Sequence, residues 1–246
     1  MEVFYRTEYS GEFVIHVISK SKGVVEEKRE WNPNTINERH TGHAVVFGNS
    51  ISRLRNQVHF DLFRHHKGGL QGSKKMTTYG CNAFHRDAQP HFLVVNNTII
   101  ANEIIKSGYA DDNIVLTNVK NIMLWPDKFH LIPFNKNWCA GATALYLAAF
   151  DGHNKVYFLG FDGQDTADFN NNVYAGTNGY GAPTSHVDST RWEEQCKQVF
   201  DTYIGIEFIR VMPNDGSSMP EIWKYCTNLR QIGWRQFVSE IDLGAT

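Results

Sequence analysis

His186 and Asp188 stand two residues apart, after a stretch rich in Asn and Gly and just ahead of a run that reads as a helix. An imidazole beside a carboxylate can take a proton from an attacking hydroxyl near neutral pH. The pair is therefore a candidate general base, and the alternative is an ordinary solvated loop histidine. Asp162 and Asp165 are a second pairing: carboxylates three residues apart at a strand end could hold a divalent ion, and Asp162 could equally cap the next element. Ala140, Gly141 and Ala142 carry almost no side chain, so a ligand phosphate could approach their backbone N–H groups. A helix start preceded by such residues is a ready anion site. Asn49, between Gly48 and Ser50, offers an amide that both donates and accepts, suited to a ribose, phosphate or base. Asn82 offers the same at another predicted strand end, though Asn also caps helices. Gly-Asn-Ser alone is a common turn. It is not GxGxxG, and the chain has no P-loop lysine, so neither dinucleotide nor Walker chemistry is supported. The other ten histidines, including His65 and His66, show no metal-ligand spacing.

These residues need elements to hold them. Residues 138–162 read as a small-residue turn, an apolar helix, a loop and a strand ending in Gly160-Phe161-Asp162. Val156 to Phe161 is β-branched and aromatic without alternation, the pattern of a parallel strand covered on both faces. His43–Phe47 reads as another buried strand running into Gly48-Asn49-Ser50, with a helix or turn after it that carries Ser52, Arg53 and Arg55. Further strands are expected at 77–82, 91–96, 113–117, 122–124 and 207–211, and helices at 98–107 and 190–203. Two alternating runs around Tyr9-Ser10-Gly11-Glu12 form a hairpin signal over residues 1–25. The charged segment 20–34 reads as a connection, and 67–75 as a loop. The polar segment 165–185 reads as a mobile loop of the kind that carries function. Strands alternating with helices predict an α/β fold with a mostly parallel sheet.

Bulk properties restrict the possibilities. A length of 246 residues, 41% of them hydrophobic, suffices for one large domain with a substantial core. A net charge of −2 argues against a general nucleic-acid coat. No apolar run approaches the roughly eighteen residues of a membrane span. The N-terminus lacks the basic and apolar regions of a secretory signal. Cys81, Cys139, Cys196 and Cys226 are widely spaced with no CxxC, so reduced thiols in a cytoplasmic setting are expected. One local excess of charge stands out: Arg53, Arg55, Arg64, Lys67, Lys74 and Lys75, with His65 and His66 among them. It is a candidate positive face for an anionic acceptor, and the alternative is a solvated face.

Taken in order, the pieces resemble the bacterial lipooligosaccharide sialyltransferases, which use CMP-sialic acid. That family opens with a strand and a Gly-Asn-Gly-Pro-Ser turn, and Gly48-Asn49-Ser50-Ile51-Ser52 stands in that place. Its Arg-Cys-Asn-Gln-Phe-Tyr segment is resembled by Gly80-Cys81-Asn82-Ala83-Phe84-His85. Its Ser-Gly turn, apolar helix and strand ending Gly-Ile-Asp are similar to Ala140-Gly141 through Gly160-Phe161-Asp162. Its Tyr-bearing lid precedes a His-Ser-Lys-Asn-Thr-Asp segment, resembled by His186-Val187-Asp188-Ser189-Thr190. Its closing Leu-Cys-Pro-Asn-Ser resembles Val211-Met212-Pro213-Asn214-Asp215. The match spans about 43–216.

The resemblance implies a single Rossmann-like nucleotide-binding domain over 41–246, with a lid loop and an extra hairpin and connection over 1–40. It implies a nucleotide-sugar donor, a CMP-sugar or another, held at Gly48, Asn49, Ser50, Asn82, Ala140, Gly141 and Asp162. Tyr174 and Tyr180 would be the lid tyrosines that meet the leaving phosphate, and His186 the general base in an inverting transfer to a hydroxyl acceptor, an anionic glycan or a nucleic acid. No metal and no cofactor is implied, so Asp162 would hold no ion. The chain departs from the family by lacking Pro after Asn49 and by having Ala140 where the family has Ser. Two rivals follow. Hydroxymethylpterin pyrophosphokinase-like proteins share the Gly-Asn and Gly-Phe-Asp edges and would need Mg²⁺ at Asp162 and Asp165. A catalytically silent nucleotide-binding protein would fit the lost Ser and Pro.

Overall fold

Successive side chains of the central strands face opposite sides, and both sides are apolar, so these strands must be covered twice. The computed structural model describes residues 2–6, 13–17, 29–32, 43–56, 76–132, 137–163, 171–182, 190–213 and 218–241. The strands in chain order are β1 (Glu2–Arg6), β2 (Phe13–Val17), β3 (Arg29–Asn32), β4 (His43–Phe47), β5 (Thr77–Cys81), β6 (Phe92–Val95), β7 (Val115–Thr117), β8 (His130–Leu131), β9 (Lys155–Leu159), β10 (Glu207–Met212) and β11 (Leu229–Gly233). The helices are α1 (Thr98–Ser107), α2 (Tyr109–Asp112), α3 (Val119–Leu124), α4 (Ala140–Phe150), α5 (Thr190–Thr202) and α6 (Trp234–Ile241).

Strands β4 to β11 form an all-parallel sheet in the order β11-β10-β9-β4-β5-β6-β7-β8, an α/β Rossmann-like arrangement. Beyond β8 the sheet is continued by β1, parallel to it, and then by β2 and β3, each antiparallel to its predecessor. The pairing of β3 differs from the connection expected over 20–34.

The two cores follow from the alternation. Val45 and Phe47 of β4 and Tyr157 and Leu159 of β9 face the side covered by α1 and α6. Ala44, Val46, Val156 and Phe158 face the side covered by α4 and α5. Helix α4 is apolar nearly all round because it is enclosed all round: Ala142 through Ala149 are buried without exception. Asn97 caps α1 by accepting from the N–H groups of Ile99 and Ile100, and Gly108 ends it with φ of 73°.

One expected strand is a helix. Ile122, Met123 and Leu124 belong to α3, whose cap Asn118 accepts from the Asn121 N–H at 3.0 Å. Three apolar residues carry no readable period, and the capping asparagine decides the conformation. Among the described residues no helix is long and apolar enough to cross a membrane.

Candidate functional site

The strand order reverses between β4 and β9. From β4 the chain steps outward through β5, β6, β7 and β8, then returns beneath the sheet along α4 to enter β9 on the other side of β4. Loops leaving the two strands diverge at such a point and open a crevice at the carboxyl edge. A cavity of about 700 Å³, counting the space open to solvent, lies there. Its lining includes Gly48, Asn49, Ser50, Cys81, Asn82, Cys139, Ala140, Gly141, Gly160, Phe161 and Asp162.

Glycine is required at the crossing itself. The Gly48 N–H donates to Leu159 O at 2.8 Å, and the Ser50 N–H donates to Gly160 O at 3.0 Å. A Cβ on Gly48 would sit 2.2 Å from Gly160 O. Gly160 has φ of 72°, and a Cβ there would lie 2.9 Å from Gly48 O.

Two buried arginines hold the exits. The Arg210 guanidinium, with no exposed surface, donates to the carbonyls of Phe161 at 3.0 Å, Asp162 at 2.6 Å and Ser218 at 2.7 Å. It thereby fixes the turn after β9. Arg53 is 1% exposed and donates to Gly48 O, Asn49 Oδ1, Asp87 Oδ2 and the Tyr174 hydroxyl. Its guanidinium lies 4.9 Å from the Phe84 ring centroid and 5.2 Å from that of Tyr174. Arg53 therefore does not belong to a positive surface. Arg64, Lys67, Lys74, Lys75, His65, His66 and the side chain of Arg55 lie outside the described residues.

The structure brings all seven of the expected donor-binding residues to one cavity but gives several of them different tasks. Asn49 Oδ1 accepts from Arg53 at 3.2 Å, and its Nδ2 faces Cys81 O at 3.2 Å and the Tyr180 hydroxyl at 3.4 Å. Asn82, with φ of 46°, turns its Oδ1 to the N–H groups of Asn96 and Asn97. Both amides stitch strand exits together. Asp162 is 2% exposed; its Oδ2 accepts from the Ser52 N–H at 2.9 Å and from Asn171 Nδ2 at 3.0 Å. Its Oδ1 is buried with no partner among the described residues. A buried carboxylate oxygen without a donor is costly unless a ligand supplies one.

The start of α4 forms the opposite wall. Cys139 Sγ accepts from the Ala142 N–H at 3.4 Å, while the Cys139 N–H donates to Gln195 Oε1 of α5 at 2.8 Å. A Cβ on Gly141 would meet the Phe161 ring at 3.2 Å, so the smallest residue stands where the helix approaches the β9 exit. The helix dipole places partial positive charge at this wall. Burial pushes the Cys139 and Cys196 thiols up, and the Cys81 thiol up to about 12. Burial likewise raises the Tyr180 phenol above its usual range. None of these four lining groups is an anion near neutral pH.

Residues 171–182, the described part of the loop expected over 165–185, are a succession of turns tied to the sheet edge. The Val173 N–H donates to Asn49 O at 2.8 Å, the Ile51 N–H to Asn171 Oδ1 at 2.7 Å and Asn97 Nδ2 to Gly179 O at 2.9 Å. Within this clasp the two tyrosines part company. Tyr180 lines the cavity, where its oxygen accepts from the Ala83 N–H at 3.3 Å. Tyr174 is 6% exposed and donates its hydroxyl to Asp87 at 2.6 Å, beneath the cavity wall. His186, Asp165 and Asp188 lie outside the described residues.

At the far end of the clasp, Glu103 accepts from Arg86 Nε at 2.6 Å and Nη2 at 2.5 Å and from Asn178 at 2.8 Å, while Arg86 also reaches Thr177 Oγ1 at 2.8 Å. Arg86 is the main cause holding the Glu103 carboxyl down at about 2, below the ordinary 4.5. The folded value is the lower one, so this stabilisation is complete above about pH 4.5 and is lost as pH falls towards about 2. Protection factors of the 177–179 amides are expected to fall across that window. Glu103→Gln should abolish that pH dependence, and protection that is flat in the wild type would contradict the latch.

Sequence reasoning passed over Phe161, Asn171, Trp192, Glu193 and Trp223, which also line the cavity. An amphipathic reading of 190–203 alone could have flagged Trp192. Among the described residues no group of three or more His, Cys, Asp or Glu is placed to hold a metal ion. Set against protein-family models, curated proteins and solved structures, the chain finds no match.

Proposed function

We propose that the protein is a cytoplasmic nucleotide-sugar-dependent glycosyltransferase that inverts the anomeric centre in a single displacement. One observation carries this reading: four segments of the sialyltransferase-like pattern, around Gly48, Cys81, Gly141 and Asp162, line a single cavity at the strand-order reversal. The donor phosphate lies against the N-terminus of α4, and a ribose hydroxyl or base amine donates to Asp162 Oδ1. Tyr180 offers its hydroxyl to the leaving phosphate. His186 removes the proton of the acceptor hydroxyl as that oxygen bonds the sugar carbon. The bond from that carbon to the phosphate oxygen breaks, releasing the nucleotide. The acceptor is a hydroxyl-bearing glycan or nucleic acid.

The unpartnered Asp162 oxygen also favours a second reading, a Mg²⁺-dependent pyrophosphokinase-like enzyme with Asp162 and Asp165 on the ion. Thermal shifts with CMP, UDP, GDP and ADP sugars, with and without Mg²⁺, separate the two. A ligand at about a hundred times its Kd stabilises by about 2.7 kcal/mol, or roughly 5–10 °C for a chain of this size. The transferase reading expects that shift from one nucleotide sugar with EDTA present. A shift that appears only with Mg²⁺ supports the pyrophosphokinase, and no shift from any nucleotide sinks both.

A further inference from the structure

Helix α5 buries a stripe formed by Gln195, Cys196, Val199 and Phe200 against α4 and the sheet. Trp192 stands three and four residues before Gln195 and Cys196, so it continues the same stripe past the edge of the core. There it is 42% exposed. Among the described residues eight large apolar side chains are exposed, and Trp192 is the one that lines the cavity. Its backbone is not free to swing. Gln195 is bonded to the α4 cap, and Trp223 Nε1 donates to the Glu193 carbonyl at 2.8 Å. Phe161, Cys196 and Trp223 make the adjoining wall apolar. The anion-binding end of α4 and the Asp162 carboxylate serve a phosphate and a hydroxyl or amine, and neither accounts for an indole held at the mouth.

We infer that Trp192 is the platform on which a nucleobase stacks, so the cavity takes base-bearing nucleotides in preference to base-free sugar phosphates. Every base presents a π face, and stacking of this kind tolerates any of them. The inference rests on the nucleotide reading above and adds the group that selects for the base.

Isothermal titration of wild type, Trp192→Leu and Trp192→Phe tests it, with CMP, UMP, AMP and GMP as nucleotide probes and ribose 5-phosphate as the base-free probe. Trp192→Leu keeps apolar bulk but loses the π face. It is expected to raise the Kd of each nucleotide that binds wild type by roughly 5- to 150-fold, the range that base–aromatic stacking supplies. Trp192→Phe should raise it by less than about fivefold, and ribose 5-phosphate should change by less than about twofold with either variant. Nucleotide affinities unchanged in Trp192→Leu overturn the inference and leave the nucleotide reading standing. So does an equal loss for ribose 5-phosphate, which would mark a structural role. Failure of wild type to bind any of the four nucleotides overturns both.

Discussion

His186→Ala is expected to lower kcat for sugar transfer by about 10²–10⁴-fold while leaving nucleotide affinity nearly unchanged. The reason is chemical. An acceptor hydroxyl must lose its proton as it attacks, and a neutral imidazole is suited to take it near neutral pH. The Cys139 and Cys196 thiols and the Tyr180 phenol are pushed up by burial, and Asp162 already accepts from Ser52 and Asn171. His186 is six residues from Tyr180 and six from Trp192, both of which line the cavity. A substitution that removed ground-state binding would raise KM, whereas loss of a base lowers kcat alone. Steady-state kinetics with the best nucleotide sugar, alongside direct titration of donor, separate these. Wild-type turnover in His186→Ala would transfer the role to another residue, and joint loss of donor binding and folding would make the histidine structural.

Gly48→Ala should destabilise the fold by about 3 kcal/mol or more and abolish nucleotide binding with it. The new methyl would have to share space with Gly160 O, 2.2 Å away, so β4 and β9 must separate at their exits. Overpacking of this kind costs about 1–3 kcal/mol by itself. Separation would also lengthen the bonds from the Gly48 and Ser50 N–H groups, worth about 0.5–1.5 kcal/mol each. Gly205→Ala is the control, because a Cβ there meets nothing within 4 Å. Urea unfolding of both variants gives the comparison. If Gly48→Ala stays within about 0.5 kcal/mol of wild type, the crossing is looser than its geometry implies.

The strands that build this crossing were legible because buried parallel strands are written as unbroken apolar runs. Residues 44–47 and 156–159 are such runs, each followed by a glycine. The two strands that end the all-parallel part of the sheet were not. Leu229–Gly233 carries Arg230 and Gln231 in its middle, as an edge strand can, and His130–Leu131 is only two residues long. The site was half legible for a related reason. Small residues at strand exits and at a helix start advertise a backbone approach, so Gly48, Gly141 and Gly160 pointed to the cavity they line. Arginine advertises solvent, so Arg53 read as part of a basic surface when it is a buried tie between Asn49, Asp87 and Tyr174. Nothing in a linear sequence distinguishes such a residue until its acceptors are known.

Enclosure of α4 has a kinetic consequence. A helix packed on every face cannot shift to greet a ligand without breaking two interfaces, so on the nucleotide reading the conformation that would cradle an anion at its first turn is already the populated one. Apparent and intrinsic affinity then coincide at that wall, with no fraction of idle molecules to dilute the first. On that reading encounter itself, rather than a preceding rearrangement of the helix, would set how quickly that wall captures a phosphate, and the capture rate is expected to climb in proportion to ligand concentration without levelling off.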